Sequence, residues 1–340
     1  MAGPAVATLV GMRALLLVNP MATSTNRRTR DVIIRALGAA VDLTVEETGY
    51  RGHGTLLAAT AREKGYDVVA VLGGDGTINE AVNGMVRGER PAPALIVIPG
   101  GSANVFARSL GLPNNAVEAT GAVLEALREG RRRPVGLGQA IWADGDLDDQ
   151  PVGDEAEPEH HQGRHSRYFT FCAGLGFDAE VIRAVEGLRS AGYKASPARY
   201  IHTMLRHYLI TDRRHPALRL ERPRQRPLDG LLLAIISNTS PWTYAGNRPI
   251  TPTPWAGFDT GLDMLGLRRM GPATMFGLTR QIVGERVGLP RGRHFVHLHD
   301  EDEFTLVARR PMAFQLDGDY LGERERVTFR SIPSALHVLV

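Results

Sequence analysis

The run Val69–Ala70–Val71–Leu72–Gly73–Gly74–Asp75–Gly76–Thr77–Ile78–Asn79–Glu80 constrains this chain more than any other stretch. An apolar segment of strand length ends in a glycine-rich turn with one carboxylate, and a helical pattern begins at once. Glycine has no Cβ and tolerates positive φ, so a phosphate chain can approach the N–H groups of such a turn closely. The helix that follows adds free N–H groups and the positive end of its dipole. Asp75 stands where a carboxylate can hold a metal ion or take a proton from a hydroxyl. The spacing matches neither the Walker loop nor Gly-x-Gly-x-x-Gly. Taken alone, the run also fits an ordinary strand–turn–helix corner.

A second turn of the same kind follows. Ala94–Ile98 is apolar and strand-like, Pro99–Gly100–Gly101–Ser102–Ala103–Asn104 breaks it, and Val105–Leu110 resumes as helix. Gly101, Ser102 and Asn104 offer exposed backbone and neutral hydrogen-bond donors. A third strand, Ala14–Val18, ends in Asn19–Pro20. In an open α/β sheet ligands bind outside the carboxyl ends of parallel strands. Three such strand ends are expected to share one crevice.

The 340 residues suggest two domains, and 43% hydrophobic residues suffice for substantial cores. Residues 13–130 alternate strand and helix, which predicts a mostly parallel sheet covered on both faces. One helix face is marked by Val32, Ile33, Leu37 and Val41, and Thr44–Val45 belongs to the next strand. After Arg133 strand-like runs dominate: Tyr168–Cys172, Leu218–Leu220, Leu231–Ser237, Leu262–Leu267, Phe304–Val307 and Ala313–Leu316. Helical stretches near Ala179–Leu188, Ala198–Leu209 and Ala273–Val283 interrupt them. This pattern fits a β-sandwich. Residues 144–167 are acidic, then His-rich and nearly free of large apolar side chains, so they read as a mobile insertion. Its His160, His161 and His165 are a weaker metal candidate.

Asn19–Pro20, Gly73–Gly74–Asp75–Gly76–Thr77, Pro99–Asn104, Gly174–Leu175–Gly176–Phe177–Asp178 and Leu316–Asp317–Gly318–Asp319 occur in one order along nearly the whole chain. In that order they resemble the catalytic-domain family of diacylglycerol and sphingosine kinases, in the wording of its bacterial soluble branch. The resemblance implies an ATP-dependent lipid kinase. It also implies an α/β plus β architecture: a doubly wound nucleotide domain over 1–133, completed by a returning segment 327–340. A β-sandwich acceptor domain over 134–326 follows, with the active site in the cleft between. Asn19, Thr48, Gly73 to Asn79 (through Gly74, Asp75, Gly76, Thr77 and Ile78) and Ser102 match nucleotide-binding positions. Asp317 and Asp319 match the Asp-Gly-Glu motif that faces the acceptor hydroxyl. Two positions depart from the pattern: Asp319 replaces the usual Glu, and Val105 stands where an Asp is usual. An Asp-Gly-rich turn in the family holds a structural Mg²⁺ or Ca²⁺, and Asp259, Leu262 and Asp263 match it loosely.

Phosphoryl transfer to an alcohol needs a phosphate cradle, cations against developing charge and a carboxylate near the hydroxyl. The glycine turns serve the first need. ATP-bound Mg²⁺, oriented by Asp75, serves the second. Asp317 and Asp319 lie two apart across Gly318, so in an extended segment both face one way and one accepts the proton. The plainer alternative is a surface hairpin turn. Trp242 and Tyr244 suit either a lipid mouth or a core. The acceptor expected is diacylglycerol or a related lipid at a membrane surface. Nucleic acid is not expected as a partner, and a homodimer stays an open alternative. Net charge is only +3, but arginines cluster at 27–30, 131–133, 213–214, 222–226 and 309–310, as solvated surface or as contacts for anionic headgroups. A single cysteine, Cys172, fits a reducing cytosol, and no segment approaches the length of a bilayer span. Two rival functions are an NAD kinase, whose further Thr-Gly-Ser-Thr-Ala-Tyr-type segment is missing, and a non-catalytic lipid-binding homologue.

Overall fold

The computed structural model describes residues 11–22, 25–143, 163–190, 215–283 and 288–340. They divide into two compact units: Met1–Gly136 with Ser334–Val340, and Leu137–Pro333.

The first unit alternates strand and helix: β1 (Arg13–Val18), α1 (Arg27–Gly38), β2 (Asp42–Glu47), α2 (His53–Glu63), β3 (Val68–Gly73), α3 (Asp75–Val86), β4 (Ala94–Pro99), α4 (Val105–Ser109) and α5 (Ala116–Glu129). The strands are parallel in the order β2-β1-β3-β4. β1, β3 and β4 are buried almost throughout, which is why they read as unbroken apolar runs. β2 is an exposed edge strand with only weak apolar patterning. α2 packs on α3, and α1 on α5. A Cβ on Gly84 would lie 2.1 Å from the Thr55 carbonyl oxygen, so this glycine is what lets α3 approach α2. Ile33 and Leu37 form the buried face of α1, but Val32, expected with them, is 48% exposed.

The second unit is antiparallel. It holds β5 (Arg132–Ala143, from Leu137 on), β6 (Arg164–Phe169), β7 (Cys172–Gly176), α6 (Phe177–Ser190), β8 (Leu218–Glu221), β9 (Leu228–Leu231), β10 (Leu233–Ser237), β11 (Thr243–Ala245) and β12 (Arg248–Ile250). β13 (Leu262–Leu267), α7 (Pro272–Ile282), β14 (Phe295–Glu301), β15 (Glu303–Leu316) and β16 (Asp319–Leu339) follow. The pairing runs β14-β13-β10-β7-β15-β16, with β8 on β15. Alternation splits two cores: Ala234 and Ile236 of β10 join Phe169, Phe304, Phe314 and Phe329, whereas Leu233 and Ile235 join Phe177, Leu265 and Leu278 beneath α6 and α7. β16 ends in residues of the first unit, where Val338 pairs in parallel with Leu95.

Several elements differ from the sequence expectation. The single strand expected at Tyr168–Cys172 is broken at Thr170–Phe171, whose N–H groups turn to a side chain described below. Phe304–Val307 and Ala313–Leu316 are one strand, β15, with a register shift between Val307 and Met312. Arg164–Arg167, assigned to the mobile insertion, belong to β6 and pair with Ala143–Ala140 of β5. The rest of the insertion and the helix expected at Ala198–Leu209 lie outside the described residues.

Candidate active site

In the first unit β1 has β2 on one side and β3 on the other, so the chain reverses direction across the sheet between β1 and β3. Ligands of open α/β sheets bind at that reversal, outside the carboxyl ends of the strands. Both ends carry motif residues. Asn19, after β1, donates from Nδ2 to Thr77 Oγ1 at 3.0 Å, and its Oδ1 accepts from Met21 N at 2.9 Å. Thr48, after β2, is buried and donates its N–H to Val18 O.

The two glycine turns touch. Gly100 N–H donates to Gly73 O at 2.7 Å. A Cβ on Gly101 would lie 2.7 Å from Gly74 Cα, and one on Gly100 would lie 3.0 Å from Gly73 Cα. Side chains at these positions would force the turns apart. Asp75 ties them together: its Oδ2 accepts from Val105 N and its Oδ1 from Phe106 N, both at 3.1 Å. The carboxylate thus caps α4, at the end of the second turn.

The residues of the first motif divide by burial. Gly74, Asp75 and Gly76 are partly exposed, while Ile78 and Asn79 are fully buried and pack away from solvent. Asn104, expected to offer a free donor, is 2% exposed and fully engaged. Its Oδ1 accepts from Gly101 N at 2.8 Å, and its Nδ2 donates to Gly101 O and to Asn114 Oδ1. It holds a left-handed conformation, φ 49°, which Asn tolerates better than most residues. Ser102 is exposed at the tip of that turn. Glu80, for which no role is expected from its place in the motif, accepts from Gly52 N and Gly54 N and so caps α2.

In the second unit, Asp317 and Asp319 do not form an extended pair. Asp317 (φ 49°) and Gly318 (φ 84°) are the two central residues of the β15–β16 hairpin, with Leu316 paired to Asp319. Asp-Gly with positive φ at both positions is the favoured two-residue hairpin turn. The turn is buried, not superficial: Asp317 is 5% exposed. Its Oδ2 accepts from Thr170 N and Oγ1 at 2.7 and 2.8 Å, and its Oδ1 from Phe171 N and Cys172 N at 3.0 Å. Burial pushes this carboxyl above its ordinary range, and these four bonds oppose the rise. Four donors engage Asp317, which closes the hairpin over Thr170–Cys172 rather than extending along one face with Asp319.

Asp319 is the carboxylate the turn presents to solvent, at 24% side-chain exposure, 3.3 Å from the Arg167 guanidinium of β6. Beneath it, Gln315 Nε2 donates to Asp178 Oδ2 at 2.8 Å and Gln315 Oε1 accepts from Gly318 N. Burial pushes the Asp178 carboxyl up to about 6, against the Gln315 bond.

The metal candidates are not brought together as a carboxylate cluster. Asp259 is exposed and Leu262 contributes only backbone. Of the three, only Asp263 has a buried carboxylate. It is fully buried, burial pushes its carboxyl up, and Oδ1 meets His299 Nδ1 and Asp300 N while Oδ2 has no hydrogen-bond partner. Among the described residues no group of three or more His, Cys, Asp or Glu could hold a metal. Trp242 packs on the core beneath α6 and α7. His165 stacks on Trp142; His160 and His161 lie outside the described residues.

Residues 13–140 match the diacylglycerol kinase catalytic domain. This span holds both glycine turns and bears out the resemblance carried by the motifs. A diacylglycerol kinase of Staphylococcus saprophyticus is 36% identical over 116 residues, 33% of this chain and 37% of that protein. One from Staphylococcus aureus is 36% identical over 130 residues, 37% of this chain and 39% of that protein. The matches therefore span less than two-fifths of these relatives. A crystal structure of a diacylglycerol kinase from Bacillus anthracis aligns over 96% of both chains with TM-score 0.66 and 19% identity. A second, putative one from the same organism gives 0.69 at 21% identity over 96% of this chain and 97% of that one. These alignments show the fold: an α/β unit followed by a β-rich unit.

Proposed function

We propose that this protein is an ATP-dependent lipid kinase that phosphorylates a hydroxyl of diacylglycerol or a related lipid. The observation that carries this reading is the pair of interlocked glycine turns at the reversal between β1 and β3, within the span matching the diacylglycerol kinase catalytic domain.

The N–H groups of Gly74 to Gly76 and the N-terminus of α3 take the phosphates, Ser102 donates from the second turn, and Asn19 fixes Thr77 beside them. Asp75 holds the second turn in register. A divalent cation bound with ATP would neutralise charge on its phosphates. The lipid hydroxyl oxygen attacks the γ-phosphorus, the bond to the β,γ-bridging oxygen breaks, and ADP leaves. Asp319 accepts the hydroxyl proton and is the catalytic carboxylate; Arg167 is its positioning residue. Lipid at a membrane surface is the partner this chemistry requires. No helix among the described residues is long and apolar enough to cross a membrane.

The test is transfer of the labelled γ-phosphate of ATP to diacylglycerol, monoacylglycerol, ceramide and long-chain bases in mixed micelles, with NAD as a parallel acceptor. Labelled phospholipid is expected. Label in NAD instead, or lipid binding without turnover, would overturn this assignment.

A further inference from the structure

Several of the arginines clustered in sequence are occupied. Arg30 pairs with Glu47, Arg131 with Glu129, Arg222 with Glu301 and Arg309 with Asp229. A different group is not, and it lies on and beside the helix that carries the most exposed aromatic side chain among the described residues. Helix α7 buries a single residue fully, Leu278, while Phe276 is 73% exposed. Ala273 and Arg280 lie three before and four after Phe276, on the same face, and both are exposed.

The described neighbouring segments, 264–271 and 288–298, add cations. Exposed Arg268 and Arg269 lead into the helix. Arg291 is held against it, because its N–H donates to Gln281 Oε1 at 2.8 Å and its carbonyl accepts from Gln281 Nε2 at 3.2 Å. Arg293 Nε lies 3.0 Å from His294 Nε2, and Arg268 N donates to His294 O at 2.9 Å, which joins the two sides of the patch. Partial desolvation and then Arg293 and Arg269 hold the His294 imidazole below its ordinary pKa, as crowded cations should. Over 264–283 and 288–298 there is no Asp or Glu, and none of these five arginines pairs with a carboxylate among the described residues.

We propose that the exposed face of α7, which carries Phe276 and Arg280, docks on an anionic phospholipid bilayer together with the flanking Arg268, Arg269, Arg291 and Arg293. The inference rests on the lipid-kinase reading, which requires contact with a membrane. The chemistry selects the partner. An aromatic ring flanked by cations sits at a headgroup boundary with its ring among acyl chains and its charges on phosphates. A protein partner would need carboxylates matched to five fixed positions, whereas a bilayer supplies anions at any position.

The test is vesicle flotation of the full chain without ATP, using phosphatidylcholine alone or with one-third phosphatidylglycerol, beside turnover in mixed micelles. Wild type should float with the anionic vesicles, less so as salt rises, and not with neutral ones. Phe276→Ser and Arg269→Glu/Arg280→Glu should each weaken flotation by about tenfold or more, with micellar turnover unchanged. Variants that float like wild type would overturn the assignment, as would a wild type that phosphorylates micellar lipid yet ignores anionic vesicles. A dimer in sedimentation that Phe276→Ser dissociates would make this face a self-interface and also overturn it. Absence of micellar turnover with Phe276-dependent flotation would sink the kinase reading and support the docking face.

Discussion

The carboxylate of Asp75 accepts the main-chain N–H of Val105 at 3.1 Å, while its other oxygen takes that of Phe106. The acidic residue of the first glycine turn is therefore a latch on the helix that follows the second. The apolar side chain of Val105 is buried, so this position contributes its backbone to the site.

Asp75→Asn should cut phosphate transfer by about 10²-fold or more, because the neutral amide keeps only one acceptor oxygen for the two N–H groups at a site that stabilises developing charge through preorganised groups. Since the latch sets the shape of the cradle, KM for ATP should rise together with the fall in kcat. A fall in kcat at unchanged KM would place Asp75 on the chemical step alone. Steady-state kinetics against ATP decide this.

Gly101→Ala places a methyl group where Gly74 Cα stands 2.7 Å away. The turns must separate, and ATP affinity measured by calorimetry should fall by an order of magnitude or more while circular dichroism stays native. Unchanged affinity would mean that the close approach of the turns is not what binds phosphate.

Asp319→Asn should remove turnover while leaving ATP affinity nearly unchanged, since its role belongs to the transition state. Asp319→Glu should retain partial or full activity. Asp317→Asn behaves differently: it sets an amide against four donors in a buried turn and should lower stability by about 2–4 kcal/mol in denaturant melts. Wild-type stability of Asp317→Asn would contradict its place as the anchor of the hairpin.

Asp178 gives the protein a pH-dependent stability of defined sign. Its carboxyl ordinarily titrates at 3.8 and is raised to about 6 in the fold. The folded state thus holds its proton more tightly than the unfolded chain. The resulting stability is full below about pH 3.8, declines as pH rises, and is gone above about 6, a loss of about 3 kcal/mol. Asp178→Asn keeps an acceptor for Gln315 and removes the charge. It should be more stable than wild type at pH 7.5 and nearly equal at pH 4, as read from denaturant midpoints. An identical gap at both pH values would show that Asp178 does not titrate in this window.

The strands β1, β3 and β4 were legible because strands buried on both faces are unbroken apolar runs, and the glycine turns because each lies within a few residues of chain. β2 gave only Thr44–Val45 because an edge strand carries no such run. The Asp317–Gly318 turn also had a local signal, the Asp-Gly dipeptide between strand-like runs, but reading it as extended put both carboxylates on one face. Burial decided otherwise: the turn closes over Thr170–Cys172, and Asp317 satisfies their N–H groups.

The amino-acid sequence by itself determined the order of elements, the glycine turns and the chemistry they suit, because these follow from periodicity and from backbone freedom at single residues. The tertiary structure alone decided which polar groups remain for a ligand. Arg167 and Asp319 are 152 residues apart, and Asp75 reaches α4 across thirty. Such pairs form because a buried polar group must find a partner wherever the fold brings one, and no local pattern records which one that is.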